Sequence, residues 1–133
     1  MTGMAFEVEL QAPYADAVER VVDELQAEGF GVLTRIDVHD TFRQKLDVEF
    51  PPYSILGACN PPLAHKALTE RPDVGLLLPC NVTVEADGEG SFVRILDPEA
   101  MMQAGGLADD PTLAEVGGEA RARLERVAAT LTG

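Results

Sequence analysis

The chain has few basic residues. Lys and Arg together number 10 against 23 Asp and Glu, and the formal net charge is −13. Proteins that bind nucleic acid or anionic membranes need clustered Lys and Arg. The densest basic cluster here, Arg121, Arg123 and Arg126, has acidic neighbours and is typical of a solvated helix face. We therefore expect neither nucleic acid nor a membrane as a partner, and interpret the acidity as a solubility feature.

Long apolar runs are also missing. No stretch near 18 residues is apolar throughout, which argues against a membrane-spanning helix. Residues 1–7 hold no basic segment followed by an apolar one, so no signal peptide is expected. These absences predict a cytoplasmic protein, in which thiols usually stay reduced. The length of 133 residues suits a single domain, 1–133.

Hydrophobic periodicity predicts the order strand, helix, four strands, helix. Apolar residues alternate through residues 4–10 and 30–38, and they repeat at helical spacing from Tyr14 to Leu25. The other predicted strands are Tyr53–Cys59, Cys80–Ala86 and Ser91–Asp97, the last two joined by a hairpin at residues 87–90. Short helices are expected between strands, at residues 39–47 and 61–68. The fold class is α+β, with a mostly antiparallel sheet and helices packed on one face.

The C-terminal third is harder to assign. Residues 101–110 are predicted to form a loop, and an amphipathic helix is expected over about 112–131. Thr112 and Glu115 fit a capping box at its start. Gly117 and Gly118 weaken the first turns by roughly 1 kcal/mol each, which leaves the point where this helix begins open.

Two short segments hold the only cysteines, and an Asn follows each one: Cys59-Asn60 and Cys80-Asn81. Asn60 is a good helix N-cap with Pro61 in the first turn. The positive end of the helix that follows would lower the pKa of a thiol beside it. That helix carries His65. Because Cys80 begins the next strand, we expect Cys59, Asn60, His65, Cys80 and Asn81 to line one cleft.

Two more residues are secondary candidates for this cleft. Lys45 has a side chain that would reach it as an anion anchor, but an exposed lysine is the better interpretation of this position. Asp37 ends the second strand and is either catalytic or solvated.

Strand alternation gives the competing interpretation of the thiols. Cys59 shares a face with Tyr53 and Ile55, and Cys80 shares a face with Val82, so both thiols are expected on the buried, apolar side of the sheet. Free Cys is often only a small core residue. No paired zinc ligands at short spacing occur, so no metal centre is predicted, and no cofactor is indicated.

Three functions therefore stay open. The first is a domain that binds a small ligand or ion near the two Cys-Asn segments. The second is a thiol-dependent enzyme or redox protein using Cys59 or Cys80 with His65 as base, although no nucleophile elbow or other local signature accompanies them. The third is a structural or interaction module whose cysteines are only core.

Several blocks in order resemble one family. They are Gly29-Phe30-Gly31-Val32-Leu33-Thr34-Arg35-Ile36-Asp37-Val38, Tyr53-Ser54-Ile55-Leu56-Gly57-Ala58-Cys59-Asn60-Pro61, Ala64-His65-Lys66-Ala67-Leu68 and Gly75-Leu76-Leu77-Leu78-Pro79-Cys80-Asn81-Val82. Over residues 14–98 the chain is similar to the domain-of-unknown-function 302 family. The resemblance implies an α+β topology like that of a TATA-binding-protein half-repeat, and a homodimer. It also implies that Lys45, Cys59, Asn60, His65, Cys80 and Asn81 belong to the family motif. The family name states no activity.

Overall fold

The computed structural model describes residues 3–132, which form a five-stranded antiparallel sheet and five α-helices. The strands are β1 (Ala5–Leu10), β2 (Gly31–Asp37), β3 (Tyr53–Cys59), β4 (Cys80–Asp87) and β5 (Gly90–Leu96), in the spatial order β1-β5-β4-β3-β2. The helices are α1 (Tyr14–Ala27), α2 (Val38–Leu46), α3 (Pro61–Glu70), α4 (Pro98–Ala104) and α5 (Pro111–Thr132), and a 3₁₀ helix spans Pro72–Leu77. The predicted α+β class is confirmed. Within residues 3–132, no helix is long and apolar enough to cross a membrane.

The two faces of the sheet differ because α1 and α5 pack on only one of them. We call this the covered face. In β1, β3, β4 and β5 it takes every second residue, and most of those residues are apolar and buried: Val8, Leu10, Leu56, Ala58, Cys80, Val82, Val84, Val93 and Ile95. The residues between them form the open face, which is half-buried or exposed for the most part. The main hydrophobic core therefore lies between the covered face and the two long helices.

A bulge in β2 overturns the strict alternation predicted for residues 30–38. The pairing of β2 with β3 shifts register between Val32 and Thr34, so one residue, Leu33, is extra and stands 66 % exposed. Such an insertion moves every later side chain to the opposite face. Arg35 and Asp37 consequently share the covered face with Val32, and Ile36 is on the open face.

The C-terminal region also differs from the prediction. Residues 98–104 form α4 rather than a loop, because the Asp97 side chain accepts a hydrogen bond from the Glu99 N–H and Pro98 occupies the first turn. The expected cap at Thr112 is wrong as well: Asp110 Oδ1 accepts the N–H groups of Thr112 and Leu113 at 2.9 and 3.2 Å. Helix α5 therefore begins at Pro111 and runs through its two glycines.

Candidate functional site

Asn60 forms the turn between β3 and α3. Its side-chain Oδ1 accepts a hydrogen bond from the Leu63 N–H at 3.2 Å, and its backbone carbonyl accepts one from the Ala64 N–H at 2.9 Å. The residue is only 8 % exposed. Gly29, with φ +84°, passes so close that a Cβ there would lie 3.0 Å from the Asn60 side chain. The predicted N-cap is confirmed, and the close approach of Gly29 fixes the position of the cap.

Cys80 begins β4 and points to the covered face. It pairs with Ala58 across the sheet and is 7 % exposed. Burial raises the pKa of the Cys80 thiol from 9.0 to about 11, and the nearby Cys59 contributes further in the same direction. The thiol is therefore protonated at neutral pH.

The expectation that both thiols lie on the buried face is wrong for Cys59. Ser54, Leu56 and Ala58 of β3 alternate along the strand and are fully buried, so Tyr53, Ile55 and Cys59 belong to the open face. Cys59 is half-buried, and burial raises the pKa of its thiol too. Both cysteines are free. The misassignment arises because polar Ser54 takes a place on the covered face.

A small cavity lies where the ends of β3 and β4 meet helices α3, α4 and α5. Its volume is about 40 Å³. Its walls are formed by Phe30, Ala58, Cys59, Asn60, Leu63, Ala64, Ala67, Val74, Leu78, Cys80, Pro98, Met101, Met102, Val116, Gly117 and Ala120. We call it the thiol cavity. Sites for drug-sized ligands measure roughly 300–1,000 Å³, whereas about 10–15 Å³ of such space holds one water molecule. The thiol cavity therefore has room for an ion or a few water-sized molecules.

The structure brings only part of the predicted cleft together. Cys59, Asn60 and Cys80 border the thiol cavity. His65 is exposed on α3, Asn81 is exposed on the open face, and Lys45 is exposed on α2. None of these three residues contributes to the cavity wall. A base or a cationic anchor for the thiols is thus missing from the described part of the wall.

Asp37 belongs to a separate polar cluster at the far end of β3. Its carboxylate accepts hydrogen bonds from the Ser54 hydroxyl at 2.7 Å and from Arg35 Nε at 2.9 Å. These bonds, that from Ser54 foremost, lower the pKa of Asp37 below its usual value. Ser54 is fully buried and also hydrogen-bonds to the Tyr14 hydroxyl. The cluster ties α1 to the end of the sheet and satisfies the buried Ser54 hydroxyl.

Sequence reasoning missed two residues of the cavity wall, Met101 and Met102. Both are on α4, in the segment that was predicted to be a loop. Met102 is buried, and Gly117 of α5 faces it, because a Cβ built there would lie 3.6 Å from Met102 Cγ. The pair Asp97-Pro98 carries the same cap-and-proline signal as Asn60-Pro61 and would have placed these methionines on a helix.

A second concavity opens on the opposite side of the sheet. Its volume is about 490 Å³, and it lies between the open face and α2. Its walls are apolar or aromatic apart from Thr41: Ile36, Val38, Thr41, Phe42, Phe50, Tyr53 and Ile55. The rings of Phe42 and Phe50 pack edge to face with centroids 5.0 Å apart. We call this surface the open-face groove.

Oxygen and nitrogen ligands for a metal are not assembled. Across residues 3–132, no three His, Cys, Asp or Glu side chains come together in a way that would hold an ion. Any ion in this part of the chain would need other ligands.

Comparisons with known proteins give one consistent result. The model of the family described as "Domain of unknown function DUF302" matches residues 6–131. A solved structure of an uncharacterised conserved DUF302 protein from Bacillus stearothermophilus is similar, with a TM-score of 0.84 and 27 % identity over 99 % of this chain and 100 % of that one. No curated protein matches.

Proposed function

Since the chain belongs to the DUF302 family, whose description states no activity, we propose its function from the site itself: it is a small domain that binds an ion in the thiol cavity. The observation that carries the proposal is the cavity itself, with about 40 Å³ of space and both cysteines in its wall. Thiols are the side chains in that wall with the strongest affinity for ions. Both are free, as expected in the cytoplasm, where we propose that the protein works.

Binding is favoured over thiol chemistry by the state of the two sulfurs. A nucleophilic or redox cysteine needs a lowered pKa, whereas burial raises the pKa of both Cys59 and Cys80. A base to remove the proton is also absent from the cavity wall, because His65 lies outside it. A metal ion needs no such base, since it competes with the proton directly for the sulfur.

Native mass spectrometry tests this function. The protein is mixed with Cu(I), Ag(I) or Cd²⁺, each alone and without oxygen, and the mass of the folded chain is measured. We expect a one-to-one adduct that Cys80→Ser removes and that the exposed-site variant His65→Ala keeps. If no ion gives an adduct, or if Cys80→Ser keeps it, the proposed function is wrong.

We further propose that the chain forms a homodimer through the open face. This face and the adjoining segment expose large apolar side chains: Leu33, Ile36, Leu46, Val48 and Phe50. With the open-face groove they form an apolar patch, which on a soluble protein of net charge −13 would aggregate unless covered. A second copy covers it by two-fold symmetry, since an apolar patch is complementary to itself. A stable interface of this kind buries about 800 Å² on each partner.

Light scattering after gel filtration tests the dimer. We expect the mass of two chains for the natural sequence and of one chain for Ile36→Lys, because a buried lysine on the two-fold interface is costly and repels its symmetry mate. Leu76→Lys is the matched control, since Leu76 is 88 % exposed on the 3₁₀ helix, away from the open face. A monomeric natural protein at micromolar concentration would contradict the proposal.

A further inference from the structure

Sulfur is concentrated at one place in this molecule. Of the five cysteines and methionines within residues 3–132, four border the thiol cavity: Cys59, Cys80, Met101 and Met102. They come from three elements, the end of β3, the start of β4 and the middle of α4. The fold therefore gathers thiols and thioethers from three separate parts of the chain.

The ligand set selects the kind of ion. Thiolates and thioethers are soft ligands that favour Cu(I), whereas Mg²⁺ and Ca²⁺ need oxygens and zinc is held by thiolate, imidazole or carboxylate. The cavity wall contains no carboxylate or imidazole, and its one amide, Asn60, already uses its Oδ1 to cap α3. The walls otherwise consist of apolar side chains, which exclude hydrated ions.

Resting on the ion-binding function proposed above, we propose that the thiol cavity is a Cu(I) site in which the Cys80 thiolate and the Met101 and Met102 thioethers are the ligands. Cys59, which belongs to the open face of β3 and is half-buried, borders the cavity but is not one of these ligands.

Charge balance supports a monovalent ion with one thiolate. Binding replaces the proton of the Cys80 thiol, which leaves to solvent, so the sulfur–copper unit in the apolar cavity is neutral. A divalent ion on the same three ligands would leave a net positive charge buried among apolar groups, which is strongly unfavourable.

A competition titration tests the site. Cu(I) is added without oxygen to the full chain in the presence of bicinchoninate, whose coloured complex reports the copper that the protein does not hold. The double variant Met101→Leu with Met102→Leu removes both thioethers and keeps nearly the same side-chain volume. Met4→Leu is the matched control, since Met4 does not border the cavity.

We expect one Cu(I) per natural chain and at least tenfold weaker binding by the double variant, because losing even an outer partner of a metal ligand costs about 10- to 100-fold. Met4→Leu should bind as the natural chain does. Unchanged affinity in the double variant, or tighter binding of Cd²⁺ than of Cu(I), would overturn the Cu(I) site. The ion-binding function would survive either result, because it requires only an adduct that Cys80→Ser removes.

X-ray absorption on the copper-loaded natural chain keeps the proposal testable should the double variant fail to fold. Three sulfur neighbours and no nitrogen or oxygen neighbour are expected. A nitrogen or oxygen neighbour would overturn the assignment.

Discussion

The buried thiol of Cys80 should make the protein less stable in alkali. Folding holds its pKa at about 11, against 9.0 for an ordinary thiol. Because the folded pKa is the higher one, the folded chain keeps this proton after the unfolded chain has lost it. The contribution of the Cys80 thiol to the free energy of unfolding is therefore fully present below about pH 9 and is lost as the pH rises through about 11.

The size of the effect follows from the shift. Two pKa units correspond to about 2.7 kcal/mol, and about half of that, ~1.4 kcal/mol, is lost by about pH 10. Cys80 is only 7 % exposed, so solvent screens its thiol little. The variant Cys80→Ala cannot titrate there and provides the reference.

Urea unfolding followed by circular dichroism, in a non-thiol reductant, measures this loss. The free energy of unfolding is determined from about pH 7.5 to pH 10.5 for the natural chain, for Cys80→Ala and for Cys59→Ala. The stability of the natural chain relative to Cys80→Ala should fall by about 1.4 kcal/mol between about pH 7.5 and pH 10. Cys59→Ala keeps the buried thiol of Cys80. Its free energy of unfolding should therefore fall in alkali by most of the amount seen for the natural chain. If the natural chain and Cys80→Ala lose stability in parallel, the thiol is not buried as described.

Three other substitutions test the surroundings of the site. Asn60→Ala should lower the free energy of unfolding by about 1 kcal/mol through loss of the α3 cap, measured by urea unfolding, and Asn60→Asp should restore most of it. Gly57→Ala should be more damaging, because its Cβ would overlap the Thr34 hydroxyl; adding Thr34→Ala should recover part of the loss, and no recovery would refute the overlap. Asp37→Ala should cost about 1–3 kcal/mol at neutral pH, by leaving the buried Ser54 hydroxyl with one partner fewer. Because the folded pKa of Asp37 lies below 3.8, the part of that difference that depends on its charge should be fully present above about pH 5 and be lost as the pH falls through the folded pKa; a pH-independent difference would contradict the role of its charge.

The sheet could be predicted from the sequence where turn chemistry marks both ends of a strand. The bounds of β3 are predicted correctly because Pro51-Pro52 precedes it and Asn60-Pro61 follows it. The hairpin between β4 and β5 is also predicted correctly, since Gly88 supplies the positive φ that its two-residue loop requires. Local residues alone decide both features.

The bulge and the faces could not be predicted in this way. Nothing local distinguishes Leu33 from its neighbours in an alternating run, and only pairing with β3 shows that it is the extra residue. The covered face of β3 accepts Ser54 because Tyr14 and Asp37, distant in the chain, satisfy its hydroxyl. Without those partners, the pattern assigns Cys59 to the wrong side.

The candidate site is predicted in part for the same reason. Cys59, Asn60 and Cys80 meet because neighbouring antiparallel strands bring their ends together. His65 is on the expected helix. Packing decides which side of that helix is turned inward, however, and the residues that contact the core are Leu63 and Ala67 rather than His65. Met101 and Met102 reach the cavity only because α4 packs against α5, which no strand pattern reveals.

The glycine that passes over the Asn60 cap links the thiol cavity to the last helix. Arg123 of α5 donates a hydrogen bond to the Glu28 carbonyl at 3.0 Å, next to Gly29, so the last helix holds the turn between α1 and β2 that packs against the Asn60 side chain. Helix α5 also supplies Val116, Gly117 and Ala120 to the cavity wall. Detachment of the C-terminal helices would therefore open the cavity and free the cap in a single cooperative event. An occupant that binds only the closed form would slow amide hydrogen exchange throughout α4 and α5, far beyond the residues it touches.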